Sequence, residues 1–153
     1  MHRRLTVRGF QLALCVLLAV SVPFNAAGGA PGVSGFVIVV NAANPVSSLP
    51  ADEISRMFFK KTARWANGEH IVAIDLSETS PVRESFSQQI HGRSTNAVKA
   101  YWQKMIFSGR ELPPVEKASS EEALAFVRGN TGAIAYVAAG TPLGRGVKAL
   151  TVK

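Results

Sequence analysis

The sequence predicts an α/β fold, organised as a single three-layer domain with a mostly parallel sheet covered by helices. Short apolar runs rich in β-branched residues, typical of buried strands, occur at 36–40, 71–74 and 133–137. Amphipathic helical patterns separate them, in the order β-α-β-α-α-α-β-β, and this alternation is typical of layered α/β domains. No internal repeat is visible. About 120 residues remain after the N-terminal leader, which is enough for one hydrophobic core.

Residues 1–30 predict a secretory signal peptide. A basic start containing Arg3, Arg4 and Arg8 precedes an apolar run at 10–22, and small residues follow at 25–30. The run is short for a membrane span, so we expect cleavage at 26–30 and a periplasmic domain of 31–153 with no membrane insertion. An uncleaved anchor is the alternative, and the small residues disfavour it.

The charge of the mature part argues against a nucleic-acid partner. The whole chain carries 17 basic and 10 acidic residues, a net charge of +7. Removing the three leader arginines leaves 14 basic residues and a net charge of +4, which is mild for a nucleic-acid-binding domain. The only cysteine, Cys15, lies in the leader, so the domain depends on its core rather than on disulfides.

The first half of the domain contains the most apolar segment. Residues 36–40, Phe-Val-Ile-Val-Val, predict a central strand. Pro50 and the acids that follow it predict a helix start, and Ile54, Met57 and Phe58 form the buried face of that helix.

The centre of the sequence is a strand-to-helix junction at 71–92. The apolar run stops at Asp75, Ser80 is the predicted N-cap, and Pro81 occupies the first helical position. An apolar stripe formed by Val82, Phe86 and Ile90 indicates about three turns ending near Gly92, with the residues Arg83, Glu84, Ser87, Gln88 and Gln89 on the solvent side. A helix start at the carboxyl end of a strand is a natural anion site. The alternative is that Thr79, Ser80 and Glu84 only cap the helix.

The remaining elements follow similar signals. Ser94 predicts an N-cap for a helix with Val98 and Trp102 in its apolar stripe, and residues 108–118 are predicted to be a loop. A helix begins at Ser119 or Ser120 and ends near 129–130. Strands are predicted at 133–137 and, as an edge strand, at 147–152.

The ordered set of these motifs resembles the phosphate-type periplasmic substrate-binding proteins of ABC transporters. The matching pieces are Val-Ile-Val-Val-Asn at 37–41, Asn-Pro-Val at 44–46, Met-Phe at 57–58 before Trp65, Ala-Val-Lys-Ala-Tyr-Trp at 97–102, Phe-Ser-Gly at 107–109 and Gly-Ala-Ile-Ala-Tyr-Val at 132–137. Proteins of that family fold as two α/β lobes that close on an oxyanion, and the sequence here resembles the second lobe alone.

The resemblance implies a ligand site at the start of the central helix. In the family, an Arg-x-x-Gly-Ser-Gly-Thr segment holds phosphate there; Thr79, Ser80 and Pro81 occupy the Ser-Gly-Thr positions, and Asp75 the arginine position. It therefore implies that Thr79, Ser80, the Val82 N–H and Arg83 bind a small oxyanion such as phosphate. A membrane permease or a second copy that completes the cleft is the implied partner, and no cofactor or metal is implied.

A protein-interaction domain and an enzyme are the alternatives to a solute-binding domain. A ligand-free protein-interaction domain in the periplasm that retained the fold is the alternative, because a lone lobe exposes a surface that a second lobe would cover. An enzyme is disfavoured, because no nucleophile-elbow, Walker or dinucleotide motif occurs and the spacing of His70 and His91 matches no metal-ligand pattern. We therefore expect no catalytic residues.

Overall fold

The computed structural model describes residues 35–153, so the predicted signal peptide and cleavage site lie outside the described residues. The strands are β1 (Phe36–Asn41), β2 (Ser48–Leu49), β3 (Val72–Leu76), β4 (Val115–Lys117), β5 (Ala133–Ala138) and β6 (Val147–Val152). The helices are α1 (Ala51–Phe58), α2 (Pro81–Phe86), which continues as a π-helical turn over Ser87–His91, α3 (Thr95–Phe107) and α4 (Ser120–Gly129). None of the described helices has the length and apolar character needed to cross a membrane.

The six strands form one mixed sheet in the order β2-β6-β1-β5-β3-β4. β3 is parallel to β4 and β5, and β2 is parallel to β6, whereas β1 is antiparallel to both of its neighbours. Five strands therefore run in one direction and β1 alone opposes them. The predicted mostly parallel sheet and the predicted central position of the first strand are both confirmed.

Helices cover both faces of the sheet. The Tyr136 ring of β5 stacks on Phe86 of α2 at 3.9 Å between ring centroids and also contacts Phe58 of α1. From β1, the Asn41 side chain reaches the last turn of α4. Asn41 and Val39 lie on the same face of β1, and Val39 pairs with Ala135, which therefore lies on that face as well. Tyr136 follows Ala135 and points to the other face, so α4 and Tyr136 lie on opposite faces of the sheet. The predicted three-layer architecture is confirmed.

One continuous core fills the space between these layers, and a smaller cluster attaches α3. Strands β1, β3 and β5 contribute fully buried residues such as Val39, Ile74 and Ile134. The smaller cluster joins Phe59, at the end of α1, to Val98 and Trp102 of α3. The helix α3 is thus held against the end of α1 and against the π-helical turn, leaving room between α3 and the sheet edge.

The structure departs from the predicted elements in four places. The predicted loop at 108–118 contains β4, a strand of three residues, and the predicted edge strand β6 lies inside the sheet because β2 pairs beyond it. The predicted central helix ends in a π-helical turn before Gly92, whose φ is 62°. Arg83 and Ser87, placed on the solvent side by the periodicity, are buried. Ser87 begins the π-helical turn, whose wider winding departs from the 3.6-residue period, and Arg83 turns inward to meet carboxylates.

Candidate functional site

A cavity of about 210 Å³ opens beside the carboxyl end of β3 and the edge strand β4, between α2 and α3. Ligands of open α/β sheets bind at this edge of the sheet. Trp102, Ile106 and Pro114 supply apolar wall, and the charged lining residues are Asp75, Glu78, Arg83, Lys99 and Glu116. The site therefore combines an apolar wall with five ionisable side chains, four from different helices and strands and one from a loop.

Arg83 is the central cation of this cavity. The residue is only 6% exposed, and its Nη2 lies 2.9 Å from Asp75 Oδ2. Its Nη1 donates to the Leu76 carbonyl at 2.7 Å and to Glu116 Oε2 at 2.8 Å. Its Nε is buried and has no hydrogen-bond partner among residues 35–153. Arg83 is thus well held but retains one unused donor.

Asp75 is fixed from the opposite side. Its Oδ1 accepts hydrogen bonds from the Tyr136 hydroxyl and, at 2.9 Å, from the Leu76 N–H. Burial raises the pKa of Asp75, while Arg83 and Tyr136 act to lower it. Burial and the Asp75 charge raise the pKa of the Tyr136 hydroxyl, which therefore keeps its proton and donates to the carboxylate. The resulting chain of contacts fixes the Arg83 guanidinium in one orientation.

A second ion pair lies at the exposed side of the cavity. Lys99 Nζ of α3 is 2.7 Å from Glu78 Oε2, and both side chains are nearly half exposed. The hydrogen bond from Lys99 lowers the pKa of Glu78. Exposed pairs of this kind contribute little to stability. Lys99 is therefore a cation that can change partners at small cost.

The other predicted ligand residues lie just outside this cavity, at the start of α2. Ser80 is the N-cap, as predicted, but its side chain makes no capping hydrogen bond. The Thr79 hydroxyl is 3.2 Å from the Ser77 hydroxyl and faces solvent. Val82 occupies the second helical position, where backbone N–H groups have no acceptor within the helix. Of the four predicted residues, Arg83 alone lines the cavity.

Glu84 does not cap α2, contrary to the capping alternative. Its carboxylate accepts hydrogen bonds from the hydroxyl and, at 3.2 Å, from the N–H of Thr95 at the start of α3, and from Gln88 at 2.9 Å. The hydrogen bonds from Thr95 contribute most to lowering the pKa of Glu84. Glu84 therefore joins the starts of the two helices that flank the cavity.

Sequence reasoning missed Tyr136, Lys99 and Glu116 as site residues. Tyr136 lies in an apolar segment that predicts only a strand, and Lys99 lies on an ordinary amphipathic helix. Glu116 lies in a strand of three residues, too short to show periodicity. The only sequence signal for these site residues was Asp75, a carboxylate that directly follows the apolar run at 71–74.

The two histidines predicted not to bind metal lie apart from this cavity. The His91 ring packs against Phe59, and its Nδ1 shares a hydrogen bond of 2.8 Å with the Ser55 hydroxyl. Burial, with help from Arg93 and Arg83, lowers the pKa of His91 to about 4. His70 lies beside β3 at the opposite end of the sheet, in an isolated pairing with Arg64. Within residues 35–153, no group of three or more potential ligand side chains is arranged to hold a metal ion.

Comparison with solved structures finds transport proteins that share this fold. The chain matches an ABC-type phosphate transport receptor from Vibrio cholerae with a TM-score of 0.60 and 22% identity, over 76% of this chain and 45% of that one. It matches a crystal structure from Clostridium perfringens that contains bound phosphate with a TM-score of 0.61 and 19% identity, over 77% and 44% of the two chains. It matches PstS from Borrelia burgdorferi with a TM-score of 0.59 and 10% identity, over 77% and 47%.

These likenesses are structural alone. No protein-family model matches the chain, and no curated protein matches it in sequence. The chain spans less than half the length of each of the three solved proteins. The resemblance found in the sequence is thereby confirmed for the fold: the described domain has the α/β fold of one part of phosphate-binding transport proteins.

Proposed function

We propose that the chain is an exported, periplasmic solute-binding-type domain that binds a small oxyanion such as phosphate and works with an ABC-type uptake permease. The observation that carries this proposal is Arg83, a cation 6% exposed that lines a cavity beside the carboxyl end of β3. The buried guanidinium is paired with Asp75 and Glu116, which offsets the cost of its burial and holds a fixed cation at the wall of the cavity. Domain boundaries of 1–30 for the leader and 31–153 for the binding domain belong to the same proposal.

The proposed ligand contacts are Thr79, Ser80, the Val82 N–H and Arg83. Ser80 offers a hydroxyl that makes no capping bond, and Val82 offers a backbone donor at the positive end of α2. The Arg83 guanidinium contacts Asp75 and the Leu76 carbonyl, at the end of the strand that precedes this helix. Hydrogen bonds from a fixed guanidinium to an oxyanion are charge-assisted and can be bidentate. Binding of this kind needs no cofactor and no catalytic residue.

Titration calorimetry of the purified protein with phosphate and sulfate, at low and moderate salt, tests the proposal. We expect saturable binding that weakens by about tenfold or more in Ser80→Ala, because a charge-assisted hydrogen bond is lost. Arg83→Lys should weaken binding further, since lysine cannot reproduce the guanidinium contacts. Arg110→Lys, at an exposed position on the loop after α3, is the matched control and should leave binding unchanged.

Absence of heat at millimolar concentrations of both anions would overturn binding of these two inorganic oxyanions. Unfolding measurements on the same variants show whether Arg83→Lys retains the fold. The Ser80→Ala result decides the case if it does not, because Ser80 makes no side-chain bond on which α2 depends.

A second candidate function is association with a second copy of the chain. Four of the five large apolar side chains exposed in the described residues lie between the end of α3 and β4: Ile106, Phe107, Leu112 and Val115. Phe107 is 90% exposed. Because the chain spans less than half of its structural neighbours, pairing of two copies is one way to complete a cleft. Light scattering that shows a dimer in the native protein and a monomer in Phe107→Ser would support it; a monomeric native protein would exclude it.

A further inference from the structure

The cavity that contains Arg83 has more carboxylates than cations. Asp75, Glu78 and Glu116 line the same space as Arg83 and Lys99, and that space is large enough for several water molecules. A bare oxyanion brought into this space adds negative charge to a set that already has one carboxylate in excess. Electrostatics in a partly dry cavity makes such an addition costly.

The two carboxylates that contact Arg83 differ in how firmly they are held. The Asp75 side chain is 10% exposed and has two further hydrogen-bond donors, from Tyr136 and Leu76. The Glu116 side chain is 51% exposed and sits on the three-residue edge strand β4, and among residues 35–153 only Arg83 donates a hydrogen bond to its carboxylate. Glu116 is therefore the exchangeable partner of the guanidinium, and an incoming anion would replace Glu116 rather than Asp75.

Replacement has different consequences for two kinds of ligand. When a bare oxyanion takes the place of Glu116 on Arg83, the released carboxylate remains beside the anion and repels it. When the ligand also carries an ammonium group, the anionic end pairs with Arg83 and the ammonium pairs with Glu116. One ion pair is then exchanged for two, and no carboxylate is left without a partner.

We propose that this cavity selects a small oxyanion that also carries an ammonium group, such as an aminoalkylphosphonate or the phosphate ester of an amino alcohol, and that Glu116 is the residue that selects it. This inference rests on the proposed function, since it adds a ligand class to the same site. Lys99 lines the same cavity, and its positive charge attracts the anionic end of the ligand while Lys99 stays paired with Glu78. The unused Nε of Arg83 is a further donor within the same group.

The test compares three probes on the full protein: inorganic phosphate, ethylphosphonate and 2-aminoethylphosphonate. The last two differ by the ammonium group alone. We expect the native protein to bind the aminated probe about tenfold more tightly than ethylphosphonate, the scale of one charge-assisted contact. In Glu116→Gln this preference should fall to about unity, because the partner of the ammonium is lost and the carboxylate that repels ethylphosphonate is removed.

The matched control is Glu121→Gln, an exposed carboxylate on α4 at the opposite face of the sheet, which should keep the preference. Equal affinity for the two phosphonates in the native protein, or an unchanged preference in Glu116→Gln, would overturn the inference and leave oxyanion binding intact. Failure of all three probes to bind would overturn the proposed function together with it. The half-exposed position of Glu116 keeps the variant folded, and circular dichroism verifies this.

Discussion

The Asp75 carboxylate and the Arg83 guanidinium form an ion pair 2.9 Å long in which both side chains are at most one-tenth exposed. Asp75 is the last residue but one of β3 and Arg83 lies in the helix that follows, so the pair joins the two elements across the turn between them. Removing one partner of a buried pair leaves the other charge without compensation. The pair is therefore both a constraint on the fold and the base of the candidate site.

Asp75→Asn should lower the free energy of unfolding by about 3 kcal/mol, because the buried guanidinium loses its most enclosed carboxylate. The amide retains the shape of the side chain, so the loss reflects charge rather than volume. Urea unfolding followed by tryptophan fluorescence measures it, with Trp65 and Trp102 both buried in the native state.

The control for this variant is Asp52→Asn, at an exposed position in the first turn of α1. Its effect should stay below about 1 kcal/mol, the scale of a helix-end charge. Equal losses in the two variants would show that the buried pair contributes nothing specific.

His91 should make the protein less stable as the pH falls from about 6.5 towards 4. Burial lowers the pKa of His91 to about 4 in the folded state, whereas an unfolded histidine titrates near 6.5. Between these values the unfolded chain binds a proton that the native protein excludes, so the stability present above pH 6.5 is lost on acidification. The lost free energy is at most about 3 kcal/mol.

Unfolding free energies of the native protein and of His91→Asn, at about pH 8 and about pH 5, isolate this effect. Asparagine keeps a polar group near the Ser55 hydroxyl and does not titrate. The variant should be less stable at pH 8 but should lose less stability on acidification than the native protein. Parallel pH profiles would exclude His91 as the cause.

The sequence alone was enough to predict the elements that local patterns determine. The apolar run at 36–40, the Ser80-Pro81 helix start and the Ser94 cap each depend on neighbours in the chain, and each is found where expected. The alternation of these elements was sufficient to predict the layer architecture and the mostly parallel sheet.

The arrangement of the candidate site could not be predicted in the same way. Arg83 is buried because of carboxylates at positions 75 and 116, and the second of these lies 33 residues away in the chain. The pairing of Ile74 with Val115 brings Glu116 to the sheet edge, but a strand of three residues carries too little periodicity to reveal it. Helical periodicity alone placed Arg83 in solvent, because it does not include long-range charge pairing.

Gly132→Ala should destabilise the fold by about 2 kcal/mol or more. A Cβ at this position would lie 2.1 Å from the backbone oxygen of His70, a contact that requires the backbone to move. The Gly132 carbonyl also accepts the Trp65 Nε1 hydrogen bond at 2.9 Å, so a shift would weaken that contact as well. Thermal unfolding by calorimetry is the measurement.

Gly129→Ala is the matched control for this substitution. Gly129 is the last residue of α4, and a Cβ there meets no atom within 4 Å. Alanine also favours the helix by up to about 1 kcal/mol relative to glycine. The control should therefore be neutral or stabilising, and a comparable loss in both variants would contradict the proposed clash.

Asn41 should be the most sensitive asparagine of the described domain, because it fastens the end of β1 to α4. Its amide nitrogen donates to the carbonyls of Val127 at 2.8 Å and Arg128 at 3.1 Å, and its oxygen accepts from the Ala43 N–H at 2.9 Å. Asn41→Asp replaces the donor with a carboxylate oxygen that faces two carbonyls at the negative end of a helix. Asn41 is 7% exposed, and we expect this change to lower the free energy of unfolding by about 3 kcal/mol, measured by urea unfolding.

The matched control is Asn67→Asp. At Asn67 only the side-chain oxygen makes a hydrogen bond, which it accepts from the Glu69 N–H at 3.0 Å, and aspartate preserves this bond. Asn67→Asp should therefore change the stability by less than about 0.5 kcal/mol. A small loss at position 41 would show that the β1 to α4 connection depends on apolar packing rather than on the amide.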